Sequence, residues 1–111
     1  MSQECPVVID VQTVQALLSS EKIHLIDCRE QQEWDLARID SAVLIPMSRW
    51  LEETDRLEEM KDKPIVVHCH HGVRSLQVVA WLRQNGFPEA QSMAGGIESW
   101  SQQIDSGIPL Y

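Results

Sequence analysis

The sequence is poor in positive charge. Nine lysines and arginines stand against 17 aspartates and glutamates, a formal net charge of -8. Lysine occurs only at Lys22, Lys61 and Lys63. No basic stripe forms, which excludes nucleic-acid binding by phosphate neutralisation. This acidity repels a small anion at long range, so any anion site must be built locally from donors at close quarters. Long hydrophobic runs are missing too, and none approaches a membrane span. The opening Met-Ser-Gln-Glu-Cys-Pro lacks the basic and then apolar stretch of a secretory leader. A cytoplasmic location with no membrane contact is the expectation. Cysteine is sparse. Cys5, Cys28 and Cys69 are odd in number and widely spaced. They outline neither a disulfide framework nor the paired thiols of a zinc site.

What is present reads as one globular domain. At 111 residues, 43% hydrophobic and 23% charged, the chain is long enough to bury an apolar core and ordinary in composition. A single domain over 1–111 is expected, with its motifs within about 7–105. Short apolar runs alternate with amphipathic stretches, the pattern of an α/β fold with a largely parallel sheet. Strands are expected at 7–9, 23–26, 42–45, 65–68 and 90–93. Helices are expected at 10–18, 29–37, from a Ser48 cap to about 60, 75–85 and 97–104. In the fourth helix Leu76, Val79, Ala80 and Leu82 are available for packing, and Gly86 ends it.

The informative segment is Ile65-Val66-Val67-His68-Cys69-His70-His71-Gly72-Val73-Arg74-Ser75. A buried strand delivers Cys69 into a loop, and a helix follows. Ligands of parallel α/β sheets bind beyond the C-terminal strand ends. Backbone N–H groups of such a loop form an anion cradle, and the helix start adds free donors and a positive dipole end. Together they favour the Cys69 thiolate. Gly72 permits a sharp turn. Arg74 offers a planar fork of donors suited to an oxyanion such as sulfonate. Ser75 is placed to cap the helix and to hydrogen-bond the sulfur. Four residues separate Cys69 from Arg74. Cysteine phosphatases place one more between the two, so this smaller cradle suits a single sulfur atom better than a tetrahedral phosphate.

Three segments resemble the rhodanese family. They are Leu25-Ile26-Asp27-Cys28-Arg29-Glu30 with Trp34 downstream, the Cys69–Ser75 loop, and Gly95-Gly96-Ile97-Glu98-Ser99-Trp100. The resemblance implies a rhodanese-like α/β fold, a mostly parallel five-stranded central sheet with helices on both faces. It also implies a sulfurtransferase that moves sulfur from a small anionic donor such as thiosulfate, through a Cys69 persulfide, to a thiol or protein acceptor. His70, His71, Gly72, Val73, Arg74 and Ser75 would bind the donor, with no cofactor or metal. Two departures stand out. Ala37-Arg38-Ile39-Asp40-Ser41-Ala42 replaces the frequent Gly-His-Ile-Pro-Gly-Ala, and Cys28 stands where valine or threonine is usual. Two rival readings use the same loop. One is a relay or docking module that hands persulfide to a partner. The other is arsenate-reductase or phosphatase chemistry, whose phosphatase form the short loop disfavours.

Other residues have plainer readings. His70 and His71 are adjacent, expected to point different ways, and no carboxylate completes a metal site around them, so they line the pocket mouth. Asp27 and Arg29 form an ion pair at the strand edge or support the loop. Asp27 is not read as a general acid, because sulfur transfer needs no protonated oxygen leaving group. Cys28 is either packed or a resolving thiol. Trp81 and Trp100 belong to the core. Trp50 can rim the pocket, with core packing the simpler reading.

Overall fold

In the computed structural model, which describes residues 6–111, five strands form one parallel sheet. They are β1 (Val8–Ile9), β2 (His24–Asp27), β3 (Val43–Leu44), β4 (Ile65–His68) and β5 (Gln91–Met93), in the order β1-β5-β4-β2-β3. All strand pairings are parallel. The helices are α1 (Val11–Ser19), α2 (Gln31–Leu36), α3 (Thr54–Glu59), α4 (Val73–Gln84) and α5 (Gly96–Gln103). The α/β architecture expected from the alternating pattern is the one observed.

Side chains alternate across the sheet and build two cores. On one face Ile26, Cys28, Val67 and Cys69 pack with Val78, Val79 and Leu82 of α4, Leu57 of α3 and Trp50. On the other, Leu25, Val66 and Met93 meet Val11 and Val14 of α1 and Ile97 and Trp100 of α5. Strands covered on both faces need continuous rather than alternating apolarity, which explains the run Ile65-Val66-Val67.

Local chemistry sets the helix ends. The Asp10 carboxylate accepts the Thr13 N–H at 2.7 Å and caps α1. Glu30 and Glu33 form a reciprocal capping box at α2. Expected boundaries shift at the third and fourth helices. Residues expected as one helix after Ser48 split into a 3-10 segment (Met47–Glu53) and α3. Ser48 caps neither; its hydroxyl donates to Glu30 at 2.6 Å. The fourth helix begins at Val73, because Gly72 takes a left-handed φ of 109° and turns the chain into it. Ser75 is therefore inside the first turn rather than the cap. That phase turns Leu76 and Ala80 outward and sends Val78 inward with Val79 and Leu82. Trp50 is buried, edge-on to Trp81 at 6.2 Å between ring centroids, so it does not rim a pocket.

The N-terminus of α5 fastens the Cys69 loop. Ile97 N–H donates to the Cys69 carbonyl at 2.9 Å, and Glu98 N–H to the His70 carbonyl at 3.2 Å. Gly96, at φ 62°, leaves no room for a Cβ, which would overlap both carbonyl oxygens. Gly96→Ala should therefore destabilise the fold by about 2 kcal/mol or more, from left-handed strain plus overpacking. Urea unfolding checks this, and an unchanged midpoint would show that the loop yields freely.

Candidate active site

The β2–β4 pairing sets the site. Asp27 stands opposite His68 in the parallel register, and Cys28 N–H donates to the His68 carbonyl at 3.0 Å. The next residues, Cys28 and Cys69, therefore leave neighbouring strand ends side by side. The Cys69 sulfur is buried at the floor of its loop. Gly72 N–H donates to it at 3.1 Å and Ser75 N–H at 3.4 Å. The Ser75 hydroxyl lies 3.5 Å from the sulfur and 2.7 Å from the Ser92 hydroxyl. When Cys69 is a thiolate, donation runs from Ser92 to Ser75 to the sulfur.

These donors favour a thiolate. The hydrogen bond from the Cys28 thiol is the largest influence. It acts with the Ser75 hydroxyl and the Ser75 and Gly72 N–H groups to bring the Cys69 thiol down to about 4, against the opposing effect of burial. Cys28 moves the opposite way. Its bond to Cys69, burial and the neighbouring negative sulfur all raise it, so it stays a protonated donor.

Arg74 lies in the first turn of α4 and holds Glu33 of α2 through two hydrogen bonds, at 2.6 and 2.8 Å. Two of its N–H groups are thus already committed to a carboxylate. The bonds from Arg74 push Glu33 down to about 2, and Glu33 in turn raises the guanidinium. Glu33 also accepts the Tyr111 hydroxyl at 2.8 Å.

Asp27 and Arg29 form a fully buried ion pair, 2.7 Å at its closest. Arg29 also donates to the Ala37 carbonyl at 2.6 Å and to the Tyr111 hydroxyl at 2.7 Å. Of the two readings the ion pair is the one seen. The link from Arg29 to the loop is indirect, through the Tyr111 ring stacked on His70 at 4.0 Å. His68, fully buried, has Nε2 3.7 Å from Asp27. Burial lowers its affinity for a proton.

His70 and His71 do not point apart. Their rings stack at 3.8 Å, and Glu98 brings a carboxylate to 3.3 Å from His71. The ligand atoms of these three residues lie within 4.8 Å of one another, so the structure supplies the carboxylate that the sequence reading did not find. Val73 is exposed at the loop mouth, and Cys5 lies outside the described residues.

Sequence reasoning missed Glu33, Ser92, Tyr111 and the α5 N-terminus. Glu33 had a signal, since Glu30 and Glu33 have capping-box spacing at a helix start. Ser92 had a weak one, as a small hydroxyl in a short strand. Nothing in the sequence pairs Tyr111 with Arg29 across 82 positions.

A parallel α/β sheet with a thiolate cradled at a strand end defines a class of cysteine-centred domains. Within that class the assignment is specific. The model of the Rhodanese-like domain matches residues 10–103, and the chain belongs to that family. It is 33% identical over 92 residues to the thiosulfate sulfurtransferase GlpE of Vibrio cholerae, covering 83% of this chain and 85% of that one. It is 36% identical to the probable adenylyltransferase/sulfurtransferase MoeZ of Mycobacterium tuberculosis, covering 84% of this chain but spanning only 24% of that protein. Among solved structures, a rhodanese-related protein of Thermoplasma volcanium superposes with a TM-score of 0.77 at 30% identity, covering 96% of this chain and 98% of that one. Among the described residues, no helix is long and apolar enough to cross a membrane.

The Glu33–Arg74 pair carries a pH signature. A carboxylate whose folded value falls to about 2 from an ordinary 4.5 contributes stability that is present above 4.5 and lost as pH drops toward 2. Glu33→Gln should lower stability at neutral pH by on the order of 1 kcal/mol, the loss of a charge-assisted bond. The difference in Tm from the parent chain should shrink through that acid window. A difference independent of pH would assign the effect to packing.

Proposed function

We propose that the chain is a sulfurtransferase that carries sulfane sulfur as a persulfide on Cys69. The observation that supports this best is the Cys69 sulfur itself, which accepts hydrogen bonds from the Gly72 and Ser75 N–H groups. Such a site stabilises a negative sulfur, and its six-residue loop suits a single sulfur atom better than a tetrahedral phosphate. In the first half-reaction the Cys69 thiolate attacks the sulfane sulfur of thiosulfate or a similar anion. The donor's S–S bond breaks and sulfite departs with the electron pair. The new terminal sulfur carries the charge and is held by the loop N–H groups.

Arg74 has two tasks in this scheme. Its bond to Glu33 fixes the start of α4 against α2, and its remaining N–H groups are available to the donor's sulfonate. His70, His71 and Val73 line the entrance, while Gly72 and Ser75 hold the sulfur. Asp27 and Arg29 support the strand end beneath. In the second half-reaction a nucleophile takes the terminal sulfur and restores the Cys69 thiolate, so no cofactor or metal enters. A cytoplasmic, thiol-rich setting suits this chemistry, because it supplies thiol acceptors and keeps Cys69 reduced.

One observation favours a protein acceptor. Val73 and Leu76, on the first turns of α4 beside the loop, are exposed apolar side chains, 68% and 42% accessible. A relay module that passes sulfur to a carrier would place docking contacts there. Its signature is fast transfer to a carrier thiol with slow thiosulfate:cyanide turnover.

Cys69→Ser should abolish thiosulfate:cyanide transfer, because a serine hydroxyl is a far weaker nucleophile at neutral pH, whereas Cys5→Ser should retain it. Steady-state assays decide this, and substantial turnover by the Cys69 variant would end the proposal. Arg74→Lys keeps the charge but loses the planar fork. Thiosulfate use should fall by about tenfold or more, equivalent to about 1.4 kcal/mol of charge-assisted bonding. Unchanged kinetics would remove Arg74 from donor binding.

A further inference from the structure

A second thiol beside the first can do more than favour the Cys69 thiolate. Backbone N–H groups and Ser75 already hold the Cys69 sulfur, and an apolar side chain at position 28 would fill the same core. Instead two free cysteines, both buried, meet where β2 and β4 end. The register runs Ile26 to Val67 and Asp27 to His68, so Cys28 and Cys69 are the next pair. Both belong to the apolar cluster that holds Ile26 and Val67, which puts them on the same face of the sheet. Neighbouring strands lie about 4.8 Å apart. A disulfide spans Cα separations of about 4.4–6.8 Å. The two thiols also influence each other's proton affinity, Cys28 upward and Cys69 downward.

We propose that Cys28 is a resolving thiol that discharges the Cys69 persulfide as sulfide, giving the domain a second activity, the reductive release of sulfide at the expense of a dithiol. This rests on the persulfide reading above. The Cys28 sulfur attacks Sγ of the persulfidated Cys69, and a bond forms between the two cysteine sulfurs. The bond from Sγ to the sulfane sulfur breaks. The sulfane sulfur leaves with the electron pair and takes the Cys28 proton, departing as hydrosulfide. The two cysteines are oxidised to a disulfide by two electrons, and the sulfane sulfur is reduced by the same two, so no other oxidant is needed. A dithiol then reduces the disulfide by exchange, becomes a disulfide itself and restores both thiols.

The surroundings of Cys28 suit this role. Fully buried, it is shielded from external reagents and reacts only with its neighbour. In the resting site the adjacent thiolate keeps it protonated. Loading moves the negative charge outward to the terminal sulfur, which removes that restraint at the moment the leaving group needs a proton. Sulfur on the loaded site then has two exits: transfer to an acceptor nucleophile, or release as sulfide when no acceptor arrives.

The test uses the Cys5→Ser chain, in which only these two thiols remain. It is loaded with thiosulfate in the absence of reductant, then freed of excess donor. Non-reducing intact mass and released sulfide are followed over time. The chain should pass from a species heavier by one sulfur atom to one lighter than the reduced chain by two hydrogens. One sulfide should appear per persulfide consumed, and peptide mapping should join Cys28 to Cys69. Adding Cys28→Ser or Cys28→Ala should hold the heavier species for at least about tenfold longer, with no sulfide. A Cys5→Ser chain that keeps its extra sulfur without disulfide or sulfide overturns the inference, and needs no Cys28 variant to do so. If that chain gains no sulfur from any donor, the persulfide reading itself fails and takes this one with it.

Discussion

The parallel pairing of β2 with β4 is the constraint on which the rest of the site depends. It places Asp27 opposite His68 and then sets Cys28 beside Cys69 where the two strands run out. Because side chains alternate, one register step sends the Asp27–Arg29 pair to one face and the two thiols to the other. A slip by one residue would exchange them, burying the thiols among α1 and α5 and pushing an ion pair into the apolar core under α4. The run Ile65-Val66-Val67 is apolar toward both faces and does not itself fix the register; the buried Asp27–Arg29 pair, fully hydrogen-bonded, does, because no other place would satisfy it.

Charge is handled locally. A chain of net charge -8 stabilises a negative sulfur with fixed dipoles and neutral donors at contact distance, while its guanidiniums are neutralised close by. Arg29 is matched by Asp27 and Arg74 by Glu33. The site therefore carries little net positive field, and under the proposed function its preference for an anion arises inside the loop, where the sulfur is buried and each hydrogen bond counts for more. The α5 N-terminus belongs to the same arrangement. By donating to the Cys69 and His70 carbonyls it turns those carbonyls away from the sulfur, leaving N–H groups to face it.

Much of this was legible in the sequence. The buried strand, Cys69, Gly72 and Arg74 stand within one short segment, and the physical reason for each residue is local. What was not legible depends on long-range packing. Arg74 reads as a free oxyanion fork until α2 brings Glu33 against it, 41 positions away in sequence. The phase of α4 depended on Gly72 adopting a left-handed φ, which began the helix at Val73, before the expected start. The stacking of His70 on Tyr111 and His71, and the approach of Glu98, follow from how α5 and the C-terminal residues fold back over the loop. Cys28 was noted in the sequence, but its contact with Cys69 needed the strand register.

Under the proposed function Cys69 is a thiolate at rest because the loop and Cys28 stabilise it. Ultraviolet thiolate absorbance measures this directly in the Cys5→Ser chain, with a Cys5→Ser/Cys69→Ser chain as reference. One thiolate should be present across the neutral range, disappear on acidification toward about 4, and be missing from the reference throughout. An absorbance that rises only near the ordinary thiol value of 9.0 would contradict the account.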